Sequence, residues 1–432
     1  MICKNITVNS EGHLCFAGRD TVKLAKKYGT PVYLIDEAQI RSNCRTYVDA
    51  VKKAFGEGSA PLFASKALSF KKIYNIVTDE GMGIDVVSCG EICTVAASGV
   101  SLEDVYFHGN NKTDADIAYA MDHGIGYFVC DSKEELFAID AEAAKRKIRQ
   151  KILLRLSPGI DPHTHRKIST GSVDSKFGCP IVTGQAKEIT ALAMQCGNVE
   201  LCGFHCHVGS QIFDEEPFCV AAEIMLKFVT QMKAELGFDT KILDLGGGFA
   251  VRYLEEQPEV DVAGMIEVLG RKVHELCVRL DIQCPVIHLE PGRSIVADAG
   301  MTLYTVGSYK EIVGIKNFVS VDGGMPDNPR FTLYEAPYTV KLANRAAEAD
   351  EIVCSVVGRC CESGDIIQEN VLLPKAKRGD ILAVLTTGAY NYSMASNYNR
   401  IPRPPVVILA PDGKEYVAVR RETFDDLIAL DN

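Results

Sequence analysis

Between residues 60 and 292 the chain repeats one pattern eight times: a short apolar run, then a helical stretch. The runs are APLFASKA (60–67), GMGIDVVS (81–88), DVYFHG (104–109), YFVCDS (127–132), KILLRLS (151–157), LCGFHCHVG (201–209), KILDLGGG (241–248) and PVIHLEPG (285–292). They are rich in Val, Ile, Leu and Phe, as strands covered on both faces should be. Among the helical stretches, one opens with Ser132 and Glu135 at a capping-box spacing. In another, Phe218, Ala221, Met225, Phe228, Met232 and Leu236 recur every three or four residues and mark one face. Eight strands alternating with helices predict an α/β fold with a (β/α)8 barrel of the TIM type. A doubly wound open sheet is the alternative, because alternation alone does not close a barrel.

The texture changes after about residue 300. TLYTVGSYKEIVG, NFVSVDGG, EIVCSVVGRC, GDILAVLTTGAY, PPVVILAPDG and EYVAVRRE are β-like runs split by Gly, Pro and Asp turns. PVYLID (31–36) precedes the eight runs and is assigned to the same β domain. The expected organisation is an N-terminal segment (1–36) joining the β domain, a barrel (37–300) and a mostly β C-terminal domain (301–432). A length of 432 residues agrees with two cores rather than one.

Composition narrows the function. With 47% hydrophobic and 24% charged residues the chain reads as globular. A formal charge of −11 argues against a nucleic-acid or anionic-membrane surface. No run of about 18 apolar residues suggests a membrane span, and MICKNITVNSEGHLCFAG lacks the apolar core of a signal peptide. Sixteen cysteines are scattered without a CxxC pair. They are expected to be reduced thiols of a cytoplasmic protein, with no structural zinc.

Chemistry in a barrel of this kind sits at the C-terminal strand ends. There the sequence places Lys66, Asp85 with Ser88, His108, Asp131, Arg155, His205 with His207, Gly246–Gly248 and Glu290. A desolvated lysine can form a Schiff base with an aldehyde, and pyridoxal 5′-phosphate (PLP) is such an aldehyde. Its phosphate needs close backbone N–H groups, which a GGG turn offers. Its pyridine nitrogen needs an acid, for which Glu290 is the candidate. HCH at 205–207 could also read as a metal pair on one strand face, but no third ligand is evident and no metal is assigned.

The motifs FASKAL, GIDVVSCGE, HGNNK, SKFG, GFHCHVGSQI, LDLGGGF, EPGR, CESGD and GAYNYSMASNYN run in order through nearly the whole chain. With them the chain resembles the fold-type III PLP-dependent decarboxylases. That resemblance implies Lys66 as the Schiff-base lysine, His205 stacked on the pyridine ring and Glu290 on its nitrogen. It implies Ser210, Gly247, Gly248, Gly292, Arg293 and Tyr390 as further cofactor contacts, and Cys361 as proton donor. Arg293, Arg330, Tyr334, Glu362 and Tyr390 would hold the substrate. The implied reaction is decarboxylation of meso-2,6-diaminopimelate to L-lysine and CO2, the last step of lysine biosynthesis. The alternative is a sister enzyme acting on ornithine, arginine, a D-amino acid or carboxynorspermidine. The resemblance also implies a homodimer with composite active sites. Leu68 and Arg359 depart from the family pattern, and HTH at 163–165 is assigned no catalytic task.

Overall fold

The computed structural model describes residues 2–160 and 175–432, so HTH at 163–165 lies outside the described residues. The chain divides into two compact units, residues 43–250 with 260–292 and residues 1–42 with 251–259 and 293–432. Residues 37–42, 251–259 and 293–300 therefore group with the β-rich unit rather than with the barrel.

In the first unit all eight apolar runs form parallel strands: Ala60–Ala64, Gly83–Val86, Val105–Phe107, Tyr127–Cys130, Gln150–Ser157, Val199–His205, Ile242–Asp244 and Val286–Leu289. Each pairs with the next, and the last pairs with the first through His288 opposite Ala60 and Leu289 opposite Pro61. The sheet is thus a closed barrel, and the open-sheet alternative falls. Helix Glu216–Leu236 buries Phe218, Ala221, Met225, Phe228 and Met232, as its periodicity predicts, with Leu236 half-buried. Full burial of such side chains stabilises by about 1.5–3 kcal/mol each.

One local expectation is only half met. Ser132 caps helix Lys133–Arg146 by accepting from Glu135 N at 3.2 Å. Glu135 does not close the box. Its carboxylate is buried and takes Lys112 Nζ at 2.7 Å instead. Lys112 also donates to Gly109 O and Val129 O, at 2.9 and 2.8 Å. The pull of a buried ammonium outweighs a capping bond that water could replace. The pair ties the loop after the third strand to the first turn of the helix after the fourth.

In the second unit a 13-residue strand, Gly300–Ile312, organises the sheet. It pairs antiparallel with Val32–Asp36, Lys316–Val321 and Ile381–Leu385. PVYLID thus belongs to the β unit, where Val406–Leu409 joins it in parallel. Phe16, Leu24, Leu34, Leu303, Leu385 and Leu409 share its core. Ile352–Val357 and Glu415–Val419 also form as read. Ile366–Leu373 (IIQENVLL), with three consecutive polar residues Gln368–Asn370 at its centre, is a strand the sequence pattern does not announce.

Candidate active site

The strand ends of the barrel gather imidazoles and carboxylates. Glu290, one residue past the eighth strand, is buried between two histidines. Its Oε2 accepts from His205 Nε2 at 3.1 Å, and its Oε1 lies 2.8 Å from His108 Nε2. The two rings meet edge-on, 4.8 Å apart at 71°. A carboxylate can only accept, so His205 carries its proton on Nε2. Burial opposes ionisation of Glu290, but His108 and His205 outweigh it and hold the acid well below the usual carboxylate range. Burial pushes His205 down to about 4 and also lowers His108. The trio is therefore a carboxylate held by two imidazoles.

His207 does not join this trio. Its Nδ1 accepts from Gly247 N at 3.2 Å and braces the glycine turn. Ligand atoms of His108, His205 and Glu290 do lie within 4.8 Å of one another, so His205 has the neighbours a metal would need, and the sequence shows neither. Asp244 lies beneath, fully buried, and accepts from Gly246 N at 2.8 Å. Burial and the nearby Glu290 charge raise its pKa well above the ordinary carboxylate value, and the same causes raise Asp85. Asp131 accepts from Gly178 N at 2.6 Å, and the Arg155 guanidinium stands 4.3 Å from the Phe177 ring, so SKFG is tied to the fourth and fifth strands.

Lys66 departs from the expectation of a buried amine. The strand ends at Ala64, and Lys66 lies on the 3-10 turn Ser65–Ala67, exposed between two buried neighbours. The turn carries it out of the apolar strand, so no cost of burying a charge arises. Its charge acts on Asp85 and His207, which places the amine near the buried group.

The glycine turn allows backbone approach that no side chain would permit. A Cβ at Gly247 would lie 1.9 Å from Glu290 O, and one at Gly248 would lie 2.3 Å from Gly209 O. Gly248 has a φ of +122°, open to glycine alone. Gly292 is also buried, 2.8 Å from Ala64 Cβ by the same measure. Ser210 is half-buried in the segment after the sixth strand.

The remaining expected residues lie in the β-rich unit. Arg293 and Arg330 are buried, on short helices Arg293–Val296 and Arg330–Tyr334. Tyr334 ends the second of these, half-buried. Tyr390 has a φ of +60°, with the Arg293 guanidinium 4.8 Å from its ring. Cys361 is exposed, its N–H donating to Asn399 Oδ1 at 2.7 Å. Its neighbour Cys360 is half-buried, and burial together with Asp365 pushes that thiol up to about 12. Glu362 is exposed, 3.5 Å from the Tyr398 hydroxyl. Sequence reasoning missed Tyr253 and Tyr338, which surround the two arginines. The only signal for Tyr253 is its place five residues after the GGG turn.

An amine at a barrel rim, with a buried acid held anionic nearby and a glycine cradle, is the equipment of an enzyme that binds PLP. Two observations test the fit. Glu290 Oε1 makes no aligned hydrogen bond, leaving a buried acceptor for a pyridine N–H. The glycine turn packs on the backbone of Glu290 and Gly209 beside that acid, where no Cβ would fit. Residues 37–297 match the family model described as pyridoxal-dependent decarboxylase, pyridoxal binding domain, and the chain belongs to that family. It is 43% identical over 423 residues to diaminopimelate decarboxylase of Bacillus subtilis, covering 98% of this chain and 96% of that one. The crystal structure of diaminopimelate decarboxylase from M. jannaschii with L-lysine superposes at a TM-score of 0.91, with 32% identity over 100% of this chain and 98% of that one. Lysine/ornithine decarboxylase of Vibrio vulnificus, complexed with cadaverine, follows at 0.75, with 27% identity over 90% and 97%. The chain is a PLP-dependent amino-acid decarboxylase.

Proposed function

We infer that this chain decarboxylates meso-2,6-diaminopimelate to L-lysine and CO2. The observation that carries the reading is Arg330: a buried guanidinium whose hydrogen-bond partner is a phenol, with no acid in ion-pair reach among the described residues. Such a group awaits a carboxylate. Diaminopimelate keeps one at its L centre after the reaction, whereas ornithine has none to spare.

When bound, PLP supplies a sink for the electron pair left as the Cα–carboxylate bond breaks. The residues divide the remaining work. Lys66 would hold the cofactor through its aldehyde carbon. Glu290, oriented by His108 and His205, would hold the proton of the pyridine nitrogen, and His205 would support the ring. Ser210, Gly247, Gly248 and Gly292 supply close contacts for the phosphate, and Tyr390 contacts cofactor and substrate. Arg293, Arg330 and Tyr334 take substrate carboxylate, and Glu362 takes the distal ammonium. As CO2 leaves, the Cys361 thiol delivers its proton to Cα. The exposure of Cys361 beside a half-buried Cys360, whose thiol pKa is raised, supports this choice.

The chain acts as a homodimer with composite sites, in which Cys361 and Glu362 serve the partner. Its sixteen free thiols suit a reducing, cytoplasmic location. The deciding assay is CO2 release from meso-diaminopimelate against ornithine, lysine and arginine. Preference for any of the last three overturns the substrate. Mixing inactive Lys66→Ala and Cys361→Ala subunits tests the dimer. Random exchange restores about a quarter of wild-type activity if sites are shared across a two-fold interface, and none if each subunit is self-sufficient.

A further inference from the structure

Tyr253 lies where two buried guanidiniums meet. Arg293 NH1 donates to its hydroxyl at 3.0 Å. The Arg330 guanidinium stands 5.0 Å from its ring centroid, and that of Arg293 stands 6.0 Å away. Tyr253 is 2% exposed and is itself pinned: its N–H donates to Gln257 Oε1 at 2.7 Å, and its carbonyl accepts from Thr339 Oγ1 at 2.8 Å. Tyr338 completes the enclosure. Its ring meets that of Tyr253 edge-on at 5.5 Å, and its hydroxyl accepts from Arg330 NH1 at 2.8 Å and from Asn391 Nδ2 at 3.1 Å.

Two like charges held close repel each other and turn toward water unless something between them holds them. Here one side chain engages both, offering a ring to Arg330 and an oxygen to Arg293. Burial would raise the Tyr253 pKa, but Arg330 and Arg293 outweigh burial and hold it below its ordinary value. The phenol thus shares the electrostatic load of the pair while fixing their spacing.

We propose that Tyr253 is a positioning residue for substrate selection, setting Arg293 and Arg330 to receive the carboxylate that the product retains. This rests on the reading in which these arginines bind substrate carboxylate. L-lysine and cadaverine differ only by that carboxylate, so comparing them isolates its site. Equilibrium binding of each to the holoenzyme is measured for the wild type, Tyr253→Phe and Arg330→Ala. Tyr253→Phe keeps the ring and loses a hydrogen bond to a charged group, so L-lysine affinity falls about tenfold and cadaverine affinity holds within about twofold. Equal losses for both ligands, or no loss, overturn the role of Tyr253 if Arg330→Ala selectively weakens L-lysine. If Arg330→Ala leaves L-lysine binding intact, the carboxylate reading itself falls and the proposal falls with it.

Discussion

The two units solve opposite electrostatic problems. The barrel buries acids and imidazoles, with Asp85, Asp244 and Glu290 all held inside. It manages them by leaving Asp85 and Asp244 reluctant to ionise and bracing Glu290 between two histidines. The β-rich unit buries guanidiniums, which stay charged, and surrounds them with phenol rings and hydroxyls. In the first, charge is concentrated on one acid suited to a cationic ring nitrogen. In the second, the Arg330 charge is stored with no acid in ion-pair reach among the described residues, as binding an anion requires. The comparison teaches that a buried ionisable cluster is best read by what it lacks.

Substitutions can break this contrast. Lys66→Ala should abolish turnover and remove the visible absorbance of bound cofactor from the purified protein; an unchanged spectrum would end the lysine assignment. Cys361→Ala, in the other unit, should slow turnover by about 10²–10⁴ while that absorbance stays. Normal turnover would send the proton-donor role elsewhere. Lys112→Met leaves Glu135 buried and unpaired, and urea unfolding should show a loss of about 3–5 kcal/mol. A Lys112→Met, Glu135→Leu double variant should recover most of it, and equal losses in both would mean the pair is not what matters.

His205 gives the barrel a pH signature. Its folded pKa of about 4 lies below its ordinary 6.5, with burial the cause. The unfolded chain therefore binds the proton first as pH falls. The contribution of neutral His205 is present above pH 6.5 and is lost toward pH 4, on the order of 3 kcal/mol. Cofactor-free wild type should show this slope in urea titrations and His205→Gln should lack it; identical slopes would contradict the assignment. Ser132→Ala removes one capping bond and should cost about 1 kcal/mol. A loss near that of Lys112→Met would show that the cap and the ion pair are one unit.

The contrast also explains what the sequence could reveal. Barrel strands carry their chemistry at fixed places, so Lys66, His108, His205 and Glu290 stand out as polar residues ending apolar runs. Their mutual geometry does not. Nothing in HGNNK says that His108 meets Glu290 across the barrel, or that Lys112 draws Glu135 out of its capping box. Closure of the barrel needed the pairing of its first and last strands. In the β-rich unit the cluster is assembled from positions 253, 293, 330, 338 and 390. No local period connects them, so only resemblance pointed to four arginine and tyrosine positions, Arg293, Arg330, Tyr334 and Tyr390. Tyr253 and Tyr338 went unseen because a buried tyrosine in sequence looks like core. Lys66 looks buried in sequence, but a single 3-10 turn, invisible in an apolar run, carries it out.

The β-rich unit is written in three separate stretches of chain, and synthesis must respect that order. Val32–Asp36 pairs, among the described residues, with Gly300–Ile312 and Val406–Leu409. At ribosomal rates of roughly 5–20 residues per second, that strand waits on the order of 13–50 s for the first of them. During the interval its VYLID backbone is an unsatisfied edge in a crowded cell, and a nascent chain stalled before residue 300 would leave it permanently so.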